Sequence, residues 1–315
     1  MNKEKNHSVF RTAVKPQYWP TAAGFFLLWL LSQTPLRFQF LLGKGIGWLL
    51  YHFSKRRRHI AQVNIDLCFP KLSKPEKESI LKRTFESVGY STIETPLSWW
   101  ASDKRLAPLA HLHGREHIDN ARKTGRGILL LGAHFTCLEI GGRLLTMHIP
   151  TINMYKKHRN ALFEAVMRKN RLIHLDGLIE HRNVREYIRA LKRGKICWYA
   201  PDQDFRNKGS SVFASFMGVQ AATLTAAARI AKMSNAIVIP FFPKRRLDGK
   251  GYDLDILPPL ENFPTGDDER DAALVNEIIA EQVALAPDQY LWLHRRFKSR
   301  PEGEQTVYEQ KSIAR

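Results

Sequence analysis

Hydrophobic and polar positions along the chain follow two regimes. Between Tyr18 and Leu31 (YWPTAAGFFLLWLL) every residue except Thr21 is apolar. A second apolar stretch, Leu36 to Phe53, is broken by Lys44 and glycines and runs into the bases Lys55 to Arg58. From residue 73 the pattern becomes that of a globular protein. Ser73 to Tyr90 predicts a helix, with Ser73 at the N-cap, Pro75 near the first position, Glu76 three residues on, and Ile80, Leu81, Phe85 and Val88 on one stripe. Strands are predicted at Gly127–Gly132, Ile196–Ala200, Ala236–Phe242 and, by strict alternation, Tyr252–Leu257. Helices are predicted at Thr136–Met147, Ala161–Arg171, the alanine-rich Val219–Met233 and Asp271–Leu285. This alternation predicts an α/β fold, a sheet layered with helices. No repeat recurs at a period of 20–50 residues.

Charge changes the picture at the N-terminus. No acid occurs between Glu4 and Asp66, while nine lysines and arginines do. Tyr18, Trp19 and Trp29 suit the headgroup level of a bilayer, and basic clusters beside apolar helices attract anionic lipid. The run falls short of the roughly 20 residues of a spanning helix, so it either spans with help from its flanks or lies in the interface. A buried core helix is the plain alternative. A cleaved signal peptide does not fit, because the leading residues are long and polar and no small-residue cleavage site follows Leu31. Gly43 and Gly47 have the spacing of a helix-packing face. The chain thus divides into an N-terminal membrane-anchoring helix (residues 1–35), a helical membrane-associated segment (36–100), an α/β domain (101–300) and a polar tail (301–315) expected to fray.

Over the 315 residues, 49 Lys and Arg against 30 Asp and Glu give a net charge of +19, which calls for an acidic partner. The 44% apolar content excludes a disordered chain. Cys68, Cys137 and Cys197 are scattered, which excludes a disulfide scaffold, a four-cysteine zinc site and a dithiol redox site.

The strongest candidate for chemistry is Gly132-Ala-His134-Phe-Thr-Cys-Leu-Glu139. An imidazole that deprotonates a hydroxyl needs a carboxylate to fix its tautomer, and an acid in the first turn of the following helix can point back at it. The spacing recurs at His111/Glu116 and His181/Glu186, but only His134 follows a buried apolar strand and precedes a helix. A purely structural reading makes His134 a satisfied strand-end histidine and Glu139 an ion-pair partner of Arg143. His111, His113 and His117 suggest a metal-dependent hydrolase, although their spacing does not match the usual dinuclear arrangement. Lys156, Lys157, Arg159, Arg168, Lys169 and Arg171 suit phosphate or carboxylate, or form a solvated face. Asp202 and Asp204, just past an apolar strand, bind substrate hydroxyls, accept groups of a donor, or cap the following turn. Nucleic-acid binding fits poorly, because the N-terminal bases interleave with a bilayer-length apolar run rather than with stacking aromatics.

Several blocks together resemble the bacterial late acyltransferases of lipid A biosynthesis, most closely the lauroyltransferase type. They are NIDLCFP (Asn64–Pro70), FESVG (Phe85–Gly89), RGILLLGAHFTCLEIG (Arg126–Gly141), WYAPDQDF (Trp198–Phe205), SSVFASF (Ser210–Phe216), AATLTAAARIAKM (Ala221–Met233) and PDQYLWLHRRFKSRPEG (Pro287–Gly303). The resemblance implies a glycerolipid-acyltransferase-like mixed α/β sheet flanked by helices. It also implies a bacterial inner-membrane enzyme with its active site facing the cytoplasm, needing no cofactor or metal. The reaction implied moves a fatty acyl chain, lauroyl in this type, from acyl carrier protein to the 3-hydroxyl of an acyl chain on Kdo-bearing lipid IVA. The alternative is the later, myristoyl-type reaction on an already acylated acceptor. The motif makes His134 the general base and Glu139 its orienting acid. Lys156, where relatives often carry Arg, joins Arg159, Arg171, Asp202 and Asp204 as expected substrate-binding residues.

Overall fold

The structure is a computed structural model that describes residue 9 and residues 12–204 and 210–309. Helix α1 (Trp19–Gln33) stops where Pro35 holds Thr34 in extended backbone, ψ 163°, and α2 (Leu36–Phe53) follows. At about 1.5 Å per residue, α1 is roughly 22 Å long against a hydrocarbon core of about 30 Å. Among the described residues no helix is long and apolar enough to cross a membrane. Of the two forms open to the anchor within residues 1–35, the spanning helix is not seen among the described residues; two separate helices, α1 and α2, form this N-terminal region instead. Trp19, Phe26, Leu27, Phe38, Leu41 and Trp48 on these two helices are exposed.

Helix α3 (Lys55–Cys68) buries Ile60, Ala61 and Ile65, and leads into α4 (Lys74–Trp100). The predicted cap is present: the Ser73 backbone N–H donates to Glu76 Oε2 at 2.7 Å. The helix runs ten residues beyond Tyr90, through Pro96, because its second half is buried against the rest of the protein. Gly43 and Gly47 of α2 meet Gly89 of α4 backbone to backbone. A Cβ on Gly89 would sit 2.1 Å from the Gly43 carbonyl oxygen, and one on Gly47 would sit 2.5 Å from that of Phe85. The glycine spacing read in the sequence is this seat.

After the short α5 (Asp103–Leu106) comes the α/β region: β1 (Ala110–His113), α6 (Arg115–Arg122), β2 (Ile128–Leu131), α7 (Leu138–Thr146), β3 (Ile152–Tyr155), α8 (Ala161–His174), β4 (Gly177–Glu180), α9 (Val184–Lys192) and β5 (Ile196–Tyr199). Then follow the hairpin β6 (Ser211–Phe216) and β7 (Val219–Leu224), α10 (Ala226–Ser234), β8 (Ile237–Arg245), β9 (Tyr252–Ile256) and α11 (Asp268–Leu285). Seven strands form one sheet in the order β1-β9-β8-β2-β5-β3-β4, parallel except for the β8–β9 pair. The fold is mixed α/β, with a mainly parallel sheet flanked by helices. Strand β2 lies between β5 and β8 with all four of its residues fully buried, which accounts for its unbroken apolar run.

The alanine-rich helix expected over Val219–Met233 is corrected. Its first six residues form β7, paired with β6 through a two-residue turn at Met217 (φ 51°) and Gly218 (φ 83°), the left-handed pair that a tight hairpin requires. Small Ala221 and Ala222 and Thr223 leave room for the buried Arg296, which donates to the Ala222 carbonyl at 2.7 Å and to Thr223 Oγ1 at 3.0 Å. Packing overrides helix propensity there. Nor does the tail fray at once: Tyr308 is buried, its hydroxyl donating to Asn64 Oδ1 at 2.5 Å and accepting from the Phe297 N–H at 3.0 Å.

Candidate active site

Strand register brings the central pair together. Leu131 of β2 lies opposite Tyr199 of β5 in parallel pairing. His134 and Asp202 each follow three residues later, so both loops leave the carboxyl ends of neighbouring strands at the same level. Asp202 Oδ1 meets His134 Nδ1 at 2.6 Å, and Asp202 Oδ2 accepts the backbone N–H of His134 at 2.9 Å. The loop bearing His134 is braced from behind. The Leu291 N–H donates to the His134 carbonyl at 3.0 Å, the Thr136 N–H donates to that of Gln289 at 2.7 Å, and the Ser87 and Thr136 hydroxyls lie 2.8 Å apart. Gly132 is required because a Cβ there would come within 2.6 Å of Trp198 Nε1.

Burial alone would lower the His134 pKa, but the Asp202 carboxylate outweighs it and holds the imidazole above the ordinary histidine value. Burial would raise Asp202; the charge and hydrogen bonds of His134 instead bring it down to about 2. Asp202 thus stays ionised and His134 Nδ1 carries a proton. Nε2 has no hydrogen-bond partner among the described residues. His134 lines a cavity of about 710 Å³, whose wall also includes Met154, Trp198, Leu224 and Ile230. Such a ring can accept a proton from a hydroxyl placed in that cavity.

The geometry corrects the roles expected from the His–x4–acid spacing. Glu139, in the first turn of α7, is held by Arg171: Nε donates to Oε1 at 2.8 Å and Nη2 to Oε2 at 2.5 Å. Trp99 Nε1 adds a third bond to Oε1 at 2.7 Å. Burial would raise the Glu139 pKa, but the Arg171 charge and these bonds bring it below the usual carboxylate value. The acid on His134 is therefore Asp202, expected as a substrate ligand, and Arg171, also expected on substrate, is occupied by Glu139. The ion pair Glu139–Arg143 is not formed either, because Arg143 pairs with Asp103.

The profile of the bacterial lipid A biosynthesis acyltransferases matches residues 9–299. The chain belongs to this family. It is 42% identical over 301 residues to the lipid A biosynthesis lauroyltransferase of Escherichia coli (strain K12), covering 95% of this chain and 98% of that protein. Identity is 38% to the lipid A biosynthesis palmitoleoyltransferase of the same strain, over 95% of this chain and 97% of the relative. It is 27% to that strain's lipid A biosynthesis myristoyltransferase, over 99% of both chains. The protein is an acyltransferase of lipid A biosynthesis.

Of the remaining expected site residues of the acyltransferase, Lys156 lines the His134 cavity at the end of β3. Arg159 is exposed in the next loop and does not line that cavity. Asp204 is a structural clamp: it accepts the Ser299 N–H at 2.5 Å and its hydroxyl at 3.0 Å. His111 and His113 do not gather as ligands. His113 Nε2 lies 3.2 Å from Asp253 Oδ1, and His111 Nε2 lies 3.1 Å from the Lys250 carbonyl. Cys137 and Cys197 are buried and their thiols are pushed up to about 12, so neither offers a thiolate at neutral pH. The partnership with Asp202 was readable only in part. An acid at the same offset as His134 beyond a neighbouring strand is a sequence signal, but it needs the strand order β2-β5 to become a contact.

Proposed function

We propose that the acyltransferase moves a fatty acyl chain, lauroyl in the first instance, from acyl carrier protein to the 3-hydroxyl of an acyl chain on Kdo-bearing lipid IVA. The carrying observation is the His134–Asp202 pair at the wall of the large cavity, with Nε2 open. In this reading the acceptor hydroxyl attacks the thioester carbonyl while its proton passes to His134 Nε2. Asp202 stabilises the imidazolium. The tetrahedral intermediate then expels the carrier's thiolate, which takes that proton from His134 as the carbon–sulfur bond breaks. No covalent enzyme intermediate and no cofactor are needed, and the fold is taken as of the glycerolipid-acyltransferase kind.

The exposed aromatic and aliphatic side chains of α1 and α2, with Arg37, Lys44 and Lys55–Arg58 beside them, support docking in the cytoplasmic interface of the anionic inner membrane, where the amphiphilic acceptor resides. Lys156 is assigned to an acidic group of the acceptor, and Arg159 to the rim outside the cavity. The test offers carriers charged with acyl chains of 10 to 16 carbons (roughly the size range a cavity of this class accommodates) together with lipid IVA acceptors, and reads products by mass. A lauroyl-sized increment on a singly substituted product is expected. No increment from any carrier refutes the reading, and an increment seen only on a previously acylated acceptor replaces it with the later reaction.

A further inference from the structure

We propose that α9 and α10 form the docking surface for the acidic protein that carries the acyl thioester. This rests on the donor reading above and says where that donor binds. Helix α9 buries Tyr187, Ala190 and Leu191, which leaves Arg185, Arg189 and Lys192 on one outward stripe with Arg182 just before them. All four are exposed and make no ion pair among the described residues. Helix α10 packs against α9 and adds exposed Arg229 and Lys232. Of these six bases, only Arg229 is ion-paired, to Asp268 at 2.8 Å. Glu186 is the one acid on either helix, so the adjoining helices carry a net positive charge, which attracts an acidic partner at long range.

The patch borders the mouth of the active-site cavity. Val184 at the start of α9, and Arg229 and Met233 of α10, line the same cavity as His134. Val184 and Met233 are also exposed, 38% and 50%, so the rim offers apolar contacts set within the basic surface. A carrier seated there delivers its arm down the cavity toward Nε2.

The same charge would also suit anionic lipid, but the topology argues for the protein. The chain runs β2-α7-β3-α8-β4 outward across the sheet and then returns β4-α9-β5. Right-handed crossovers place α9 on the face opposite α7 and α8. Leu178 of β4 belongs to the small cluster of Trp99, Tyr155 and Met167 that also takes in Phe163 and Val166 of α8, its neighbour Ile179 belongs to the main core, and α9 packs on β4 and β5. Helix α4 packs on α7 and α8, and the apolar helices α1 and α2 each pack on α4. The basic helices are therefore on the side of the sheet away from the surface assigned to the membrane.

The test is steady-state kinetics of the full-length chain with lauroyl-charged acyl carrier protein and lipid acceptor in mixed micelles. For Arg185→Glu/Arg189→Glu we expect the donor KM to rise at least tenfold, with acceptor KM and kcat within twofold of wild type. Flotation with anionic phosphatidylglycerol vesicles should be unchanged. Arg185→Lys/Arg189→Lys should bring the donor KM back to within threefold, and Lys232→Glu on the other helix should raise it on its own. A donor KM within twofold of wild type in both charge-reversed variants overturns the inference. So does an equal rise in acceptor KM, or loss of flotation, since those place lipid on this surface. Failure of the wild-type chain to take acyl groups from the carrier at all would instead refute the donor reading, before any variant is made.

Discussion

Replacing Asp202 by Asn separates the proposed mechanism from the one suggested by the motif spacing. Asp202 accepts hydrogen bonds from the ring at Nδ1 and from the His134 backbone N–H, and the buried Tyr290 hydroxyl also bonds to it. An amide of the same shape has one accepting oxygen. If that oxygen keeps the backbone N–H, the amide NH2 faces Nδ1 and forces the ring into the tautomer with its proton on Nε2, the atom that must be bare to act as a base. Turned the other way, the amide sets a donor against the backbone N–H. A buried carboxylate that fixes a catalytic histidine tautomer is worth about 10⁴ in kcat when replaced this way in a well-studied serine protease, or roughly 5 kcal/mol at 1.4 kcal/mol per tenfold. The same magnitude is expected here. Because Asp202 holds the His134 pKa above its ordinary value, wild-type kcat/KM should rise with pH to a plateau reached above that value; in Asp202→Asn, the residual activity should plateau at lower pH. The stability effect has the same pH sense but lies at lower pH. A carboxylate brought from 3.8 to about 2 contributes about 2 kcal/mol that is present above its unfolded pKa and lost as pH falls toward 2. Initial rates of acyl transfer from pH 5 to 9 measure the first, and thermal melts from about pH 5 down to about pH 2 measure the second. Retention of a tenth or more of wild-type kcat, with an unshifted acid limb, would refute the reasoning.

Three further substitutions probe the surroundings. Glu139→Gln strands the Arg171 guanidinium in a largely buried site and should cost about 2–3 kcal/mol of stability by chemical denaturation, without moving the acid limb of the rate profile. Gly89→Ala drives a methyl group into the backbone of α2, where no flexible side chain can yield, and should cost about 1–3 kcal/mol and weaken vesicle flotation as α2 loses its seat. Gly132→Ala meets the Trp198 indole and should lower kcat/KM at least tenfold with circular dichroism unchanged, because the displaced ring enters the cavity that His134 lines.

Much of the scaffold could be read from residue order. The capping box at Ser73 and Glu76, the buried strand before His134 and the paired glycines of α2 each rest on a local rule that the structure obeys. Reading failed where a distant neighbour decides. Val219–Leu224 has the composition of a helix and becomes a strand because small side chains are needed around Arg296. Strands β1, β3 and β4 are as short as β2, four residues each, but only partly buried, so they lack the unbroken apolar run that marks β2. In the site, the expectation for His134 rests on its strand, whereas the carboxylate bonded to its ring comes from across the sheet rather than along the chain. Glu139 stands one helical turn away and faces Arg171, a residue 32 positions on. Asp202 stands 68 positions on and faces the ring.

The most direct test of the account is the rate at which His134→Ala moves a lauroyl chain from acyl carrier protein to the lipid acceptor, measured on protein whose melting temperature matches wild type. Loss of product to the level of the uncatalysed reaction is predicted, because Asp202 and the cavity remain but nothing in them accepts the hydroxyl proton. Transfer at a rate near wild type would contradict the assignment of His134 as the base.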